Sequence, residues 1–163
     1  MTMEIFMKDD ELIVSKTDLK GRITYGNRHF IRMSGYSEKE LLNAPHNILR
    51  NADMPKIVFT LLWKRIQEKR YINAYVKNST KNGDFYWVLA NVTASLDKQS
   101  NIIGYYSVRR KPSPGAVDVI ENLYKKLLQV ERTSGINASE IFLNEILEKQ
   151  GVSYDEYIVN LQK

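Results

Sequence analysis

Asn82-Gly83 stands between residues 72–78 and 85–95, two runs rich in aromatic and β-branched side chains. A two-residue type I′ turn needs φ > 0 at both central positions, and Asn-Gly meets that need. The chain is therefore expected to fold back here as a β-hairpin. A third such run, residues 102–110, adds a strand. Strand 85–95 is apolar on both alternating sets, Phe85, Trp87, Leu89 and Asn91 against Tyr86, Val88, Ala90 and Val92. One set is expected to face the interior and the other to point outward, where something has to cover it.

Upstream, residues 12–17 and 22–25 read as two short strands joined by Asp18-Leu19-Lys20-Gly21. A short helix is expected over 27–33, halted by Gly35. Ser37 precedes Glu40 by three residues, the spacing of a capping box, and opens a second short helix through Asn43. Residues 44–52, with Pro45 among them, read as a loop with at most one helical turn. The longest helix before the tail is expected over 54–70, with Asp53 as its cap and Pro55 in its first turn. Lys64, Arg65, Lys69 and Arg70 gather at its C-terminal end and complement the helix dipole. Its apolar residues, Ile57 to Trp63 and Ile66, cover more than one face, so it should be buried on most sides.

After Lys111-Pro112-Ser113-Pro114-Gly115 the pattern turns helical. Val117, Ile120, Tyr124 and Leu127 form an apolar seam, interrupted at Arg132-Thr133-Ser134-Gly135. Asn137 with Glu140 opens the next helix and Gly151 closes it. Ser153 with Glu156 opens the last, with Tyr154, Tyr157, Ile158 and Leu161 on one face. The seam is too short to stand alone. It has to pack on the outer face of its own sheet, on a second copy, or on another protein. The chain thus divides into an N-terminal segment (1–11), a mixed strand-and-helix unit (12–112) and a helical extension (113–163).

Composition removes several functions. The net charge of +5 is scattered among acids, and no helix carries a basic stripe interleaved with aromatics, so no nucleic acid is expected. There is no cysteine, which removes disulfides and thiol nucleophiles. The longest apolar run, 57–63, is too short to span a bilayer, and the acidic start lacks a signal peptide's apolar segment. A cytoplasmic location follows as the expectation. His29 and His46, the two histidines, make no ligand-spaced cluster, so no metal is expected. No nucleophile elbow, phosphate loop or acid–base pair points to an enzyme.

The hairpin and residues 103–110, with Asp18-Leu19-Lys20-Gly21-Arg22-Ile23-Thr24-Tyr25-Gly26-Asn27 and Ser34-Gly35-Tyr36-Ser37, resemble the PAS sensor family. From Gly35 to Pro112, including Pro45-His46-Asn47 and Asp53-Met54-Pro55, the resemblance is to the PAS domain of bacterial aerotaxis receptors. It implies an α+β fold, a five-stranded antiparallel sheet with helices on one face, here followed by a C-terminal helical extension. It also implies FAD held between sheet and helices, with Asn27, Arg50, Asp53, Asn78 and Asn91 at the matching positions. Arg50 before a helix N-terminus suits a phosphate, and Asn78 and Asn91 on pocket-facing strands suit the polar edge of a flavin. Each also has a plain structural reading. Asp53 is a helix cap, Asn27 tethers the short helix, Arg50 is an ion-pair partner, and the two strand amides satisfy buried backbone. Two family positions differ, with Asn51 where the family has histidine and Ile72 where it has tryptophan; both are associated with flavin retention. Haem is not expected without a histidine on 54–70, nor flavin photochemistry without a cysteine.

Residues 121–127 resemble the segment after PAS in the same receptors. The whole resembles the stand-alone form of Campylobacter-type split systems, in which a soluble PAS protein pairs with a membrane-bound chemotaxis transducer. That implies a sensor or adaptor relaying redox or energy state, docking as a homodimer or heterodimer through the tail helix and outer sheet face. The alternatives are a regulatory module that binds a small metabolite and a flavin-dependent enzyme.

Overall fold

The computed structural model describes residues 2–163. Five strands form one antiparallel sheet in the order β2-β1-β5-β4-β3, with β1 Ile13–Thr17, β2 Ile23–Gly26, β3 Ile72–Ser79, β4 Phe85–Leu96 and β5 Ile102–Arg110. Between β2 and β3 come α1 (Arg28–Ser34), α2 (Glu38–Leu41), a 3₁₀ turn at His46–Leu49 and α3 (Lys56–Gln67). The tail folds as α4 (Pro114–Ser134), α5 (Ile136–Gln150) and α6 (Tyr154–Gln162). No helix among the described residues is long and apolar enough to cross a membrane.

The β3–β4 hairpin forms with a different turn from the one expected. Only Gly83 has positive φ, at 92°, while Asn82 stays in the ordinary region. Gly83 N–H donates to the Thr80 carbonyl and Thr80 N–H to the Asp84 carbonyl, so the loop has three residues and closes on a left-handed glycine. Asn82 is held by its side chain, whose Oδ1 accepts from Thr80 Oγ1 at 2.6 Å and from Asp84 N–H at 3.3 Å.

Helix ends supply three further comparisons. Asn27 caps α1 and Ser37 caps α2, as their spacing implies, and Ser153 with Glu156 closes a capping box on α6. Asp53 does not cap α3. Pro55 occupies the cap position in an extended conformation, and Asp53, two residues earlier, pairs with Lys77 Nζ at 2.7 Å. The helix accordingly starts at Lys56. In the tail, Gly135 with φ 89° lets α5 begin at once at Ile136, so Asn137 is an interior residue and not a cap.

Residues of even number on β3 and β4 turn toward α3, and residues of odd number turn away. α3 buries Ile57, Val58 and Ile66 and presents Thr60 and Lys64 to solvent, while Trp63, 50% exposed, lines a cavity with its ring 5.5 Å from that of Tyr105, and Gln67 donates to the Tyr105 hydroxyl at 2.7 Å. It is one-sided, where its composition implied burial on most sides.

The outward face of β3 and β4 is covered by the chain's own tail. Ile120, Leu123, Tyr124 and Leu127 of α4 are buried, and the Tyr124 and Trp87 rings lie 6.0 Å apart. Tyr124 Oη donates to the Tyr75 carbonyl at 2.6 Å, Tyr75 Oη to the Ile158 carbonyl at 2.9 Å, and Tyr154 Oη to the Asn73 carbonyl at 2.9 Å. The core runs without a break from the sheet into α4–α6. Because this seam is spent inside the chain, it does not provide the free docking face expected for a dimer.

Candidate functional site

Between α3, the His46–Leu49 turn and the inner face of the sheet lies a cavity of about 290 Å³. Leu62 and Ile66 of α3 and Val76, Ala90 and Val92 of the sheet give it apolar walls. Its floor is polar. Arg109 sits on β5, the central strand, and is almost completely buried. Its Nη2 donates to Ser15 Oγ on β1 and lies 3.4 Å from His46 Nε2. Its Nε and Nη1 have no hydrogen-bond partner, and neither does the buried hydroxyl of Tyr86.

Phe30 holds this group from behind. The Arg109 guanidinium lies 4.9 Å from the Phe30 ring centroid, and the His46 ring stacks on it at 5.8 Å. Phe30 in turn needs Gly26, since a Cβ there would come within 2.6 Å of the Phe30 ring. The polar floor is therefore set by a glycine four residues before the aromatic that supports it.

Charges in the cavity have one sign. Lys20 and Arg50 join Arg109 among the lining residues, and none of the described lining residues is an acid. Burial pulls Arg109 down to about 10, so it stays charged at neutral pH. Burial, and then the Arg109 charge, pull His46 down to about 3. Geometry agrees. Arg109 can only donate, so His46 Nε2 is an acceptor, and the Ser15 hydroxyl, 3.1 Å away, can donate to it as well. Burial raises Tyr86 above its ordinary value, opposed by the Arg109 charge.

The five residues expected here separate. Arg50 and Asn78 line the cavity and are joined by a backbone bridge, with the Arg50 guanidinium 4.1 Å from the Phe59 ring centroid. Asn91 is on the other face, because its register partner is Asn73, to whose Oδ1 it donates at 3.0 Å. Asn27 ties α1 to β1, accepting from Phe30 N–H and Val14 N–H and donating to the Leu12 carbonyl. Asp53 is exposed and engaged with Lys77. Neither Asn27 nor Asp53 lines the cavity. Asn51 donates to Ser79 Oγ outside the lining, and Ile72 is packed with Ile66 and Tyr105. Arg109, Ser15 and Lys20 escaped the sequence reading. The available signal was an arginine in phase with Tyr105 and Ser107 on the strand expected over 102–110.

The family described as PAS fold matches residues 13–110, which is more than half of the chain and takes in all five strands with the cavity. The chain belongs to the PAS family. Its PAS region is similar to the aerotaxis receptor of Escherichia coli (strain K12), 39% identical over 121 residues that cover 74% of this chain and 24% of the receptor. It is also similar to the nitrogen fixation regulatory protein of Klebsiella pneumoniae, 28% identical over 60% of this chain and 20% of that protein. The PAS chain thus spans about a quarter or less of these relatives' lengths. Among solved structures, a light-oxygen-voltage domain studied with a flavin analogue superimposes with a TM-score of 0.62 at 18% identity, covering 71% of this chain and 88% of that one. The light-oxygen-voltage domain of the blue-light photoreceptor Aureochrome1 gives 0.60 at 24% identity, over 68% and 88%. These likenesses establish the fold, and the aerotaxis and nitrogen-fixation relatives place the PAS domain among signalling sensors.

Proposed function

We propose that this PAS domain binds FAD in the cavity and relays redox or energy state to a membrane-bound chemotaxis transducer. One observation carries the ligand class: the cavity is lined by three cations, Arg109, Arg50 and Lys20, and by no acid. Such a site favours a ligand with acceptor oxygens and negative charge, and apolar walls favour a flat ring system. FAD has all of these. Arg109 and Asn78 would hold acceptors of the ring, and Arg50 and Lys20, toward the rim, would hold phosphate. Asn27, Asp53 and Asn91 would act as supports of the surrounding fold. The flavin would supply reversible electron uptake; the chain would supply orientation, exclusion of water and a charge that responds to the flavin's own. The role is sensing, without turnover of a substrate.

A small anionic metabolite is the second reading, favoured by the volume of about 290 Å³, which takes a ring system and leaves the rest of a dinucleotide outside. An absorbance spectrum of the purified chain, followed by titration with FAD, separates the two. Flavin bands, or saturable uptake of added FAD that Arg109→Met weakens, support the proposal. A colourless chain that takes up no FAD overturns it and directs the search to anionic metabolites. Co-purification with a membrane-bound chemotaxis transducer tests the relay, and its absence counts against it.

A further inference from the structure

The helix that walls the cavity is not capped by its own neighbourhood. Pro55, at the cap position of α3, offers no side-chain acceptor, and Asp53 is taken by Lys77. The free amides of Lys56 and Ile57 donate instead to the two carboxylate oxygens of Glu131, at 2.8 and 2.9 Å. Glu131 belongs to the last turns of α4, more than seventy residues further along the chain. Its Oε2 lies 3.1 Å from the hydroxyl of the fully buried Ser139 of α5, which shares its one proton between Glu131 and the Ile136 carbonyl at 2.8 Å. Toward the other end, Arg65 Nη1 donates to both carboxylate oxygens of Asp155 in the first turn of α6, each at 3.1 Å. Between the two grips, Phe59 and Leu62 line the cavity, with Ile66 just past Arg65, and Phe59 carries the Arg50 guanidinium.

We infer that the C-terminal helices set the order of the cavity wall by gripping α3 at both ends, through Glu131 and Asp155. A helix start without an acceptor frays, because its first amides have no intrahelical partner and its dipole is unopposed. Docked, the tail supplies both the acceptors and the charge. Released, it leaves α3 with neither, and the wall that carries Phe59 loosens. Linkage makes the effect reciprocal. A ligand that needs an ordered α3 strengthens tail docking by the same factor by which docking strengthens the ligand. Glu131 and Asp155 are positioning residues and touch no part of the cavity. The ligand half of this inference rests on the reading of the cavity as a flavin site; the grip does not.

Amide hydrogen exchange on the full chain tests both halves. In Glu131→Ala the amides of Lys56 and Ile57 should exchange about five- to tenfold faster, as expected for a lost cap, with α1 and β1 unchanged. Glu131→Gln, which keeps one carbonyl acceptor, should recover part of the protection, and Asp155→Asn should raise exchange toward Gln67. Wild-type rates at Lys56 and Ile57 in a folded Glu131→Ala overturn the grip. Should that variant not fold, unchanged exchange near Arg65 in Asp155→Asn does the same. With FAD added, wild type should gain protection in α3 and in α4–α6, and Glu131→Ala should lose the second gain. Uptake of FAD without protection of α4–α6 overturns the linkage. A chain that takes up no FAD overturns the cavity reading, and the ligand-free comparison still decides the grip.

Discussion

Arg109 rests its guanidinium on the face of Phe30, 4.9 Å from the ring centroid, and an aromatic rather than a carboxylate is what accommodates this buried charge. Such an arrangement is costly to a free protein and useful to one that receives an anion. Arg109→Met should therefore separate binding from stability. FAD affinity should fall by roughly ten- to a hundredfold, as for loss of about 1.5–3 kcal/mol of charged hydrogen bonding. The ligand-free chain should unfold at equal or higher urea concentration. Weaker folding with unchanged binding would assign Arg109 a purely architectural role.

His46 gives the fold an acid limit. Its pKa is depressed in the folded state to about 3, so below the unfolded value near 6.5 the unfolded chain binds the extra proton. Stability is intact above pH 6.5 and is lost as pH falls toward 3. Because the ring is partly open to the cavity, the loss between pH 7 and 5 should be about 1–2 kcal/mol, short of the full linkage value. Urea unfolding at the two pH values reads it directly, and His46→Asn should remove most of the difference.

Tyr124→Phe deletes the hydroxyl that satisfies the Tyr75 carbonyl and leaves that buried acceptor without its side-chain donor. A cost of about 1–3 kcal/mol in urea unfolding is expected. Ile120→Glu, at a position 1% exposed against the chain's own sheet, should release the tail in a monomer as well as in any oligomer. Sedimentation over a range of concentrations, combined with limited proteolysis of the tail, checks this. A tail released only on dilution would instead make the seam an interface between chains.

Gly26→Ala places a methyl group 2.6 Å from the Phe30 ring. Moving Phe30 moves what His46 and Arg109 lean on. Stability should drop by roughly 1–3 kcal/mol, the cost of overpacking, and FAD uptake should fall with it. Phe30→Leu in the same background, by making room, should recover stability but not binding.

The antiparallel sheet, the caps at Ser37 and Ser153 and the need for cover on both faces of β4 were legible because each rests on local spacing, whereas the cap Ser113 supplies to α4 was missed. The turn type was not, because Asn82 satisfies its side chain by bonding Thr80 and Asp84 and so has no reason to enter the left-handed region. Asn91 was placed on the wrong face although its alternation with Trp87 and Leu89 was visible; what decides is the register Asn78↔Tyr86, which follows from the loop length. Asp53 looked like a cap because a carboxylate before a proline and an apolar run usually is one. The true cap, Glu131, is remote in sequence, and no local pattern can announce a contact made by tertiary packing. Arg109 was overlooked for a related reason: a charged residue near a strand end reads as solvated until the neighbouring strands close over it.

The tail is attached to the rest of the chain in two chemically different ways. On the sheet, Tyr124, Tyr75 and Tyr154 each end on a main-chain carbonyl, and burial keeps their phenols protonated well above neutral pH. On α3, the contacts are charged, and the Asp155 side chain is 42% exposed. Dissolved ions weaken exposed charged contacts over a Debye length of about 8 Å at physiological strength and leave neutral buried ones nearly untouched. Ionic strength therefore acts as a graded control. Raising it should slacken α3 while α4–α6 stay seated, so that dissolved salt alone should loosen one wall of the cavity.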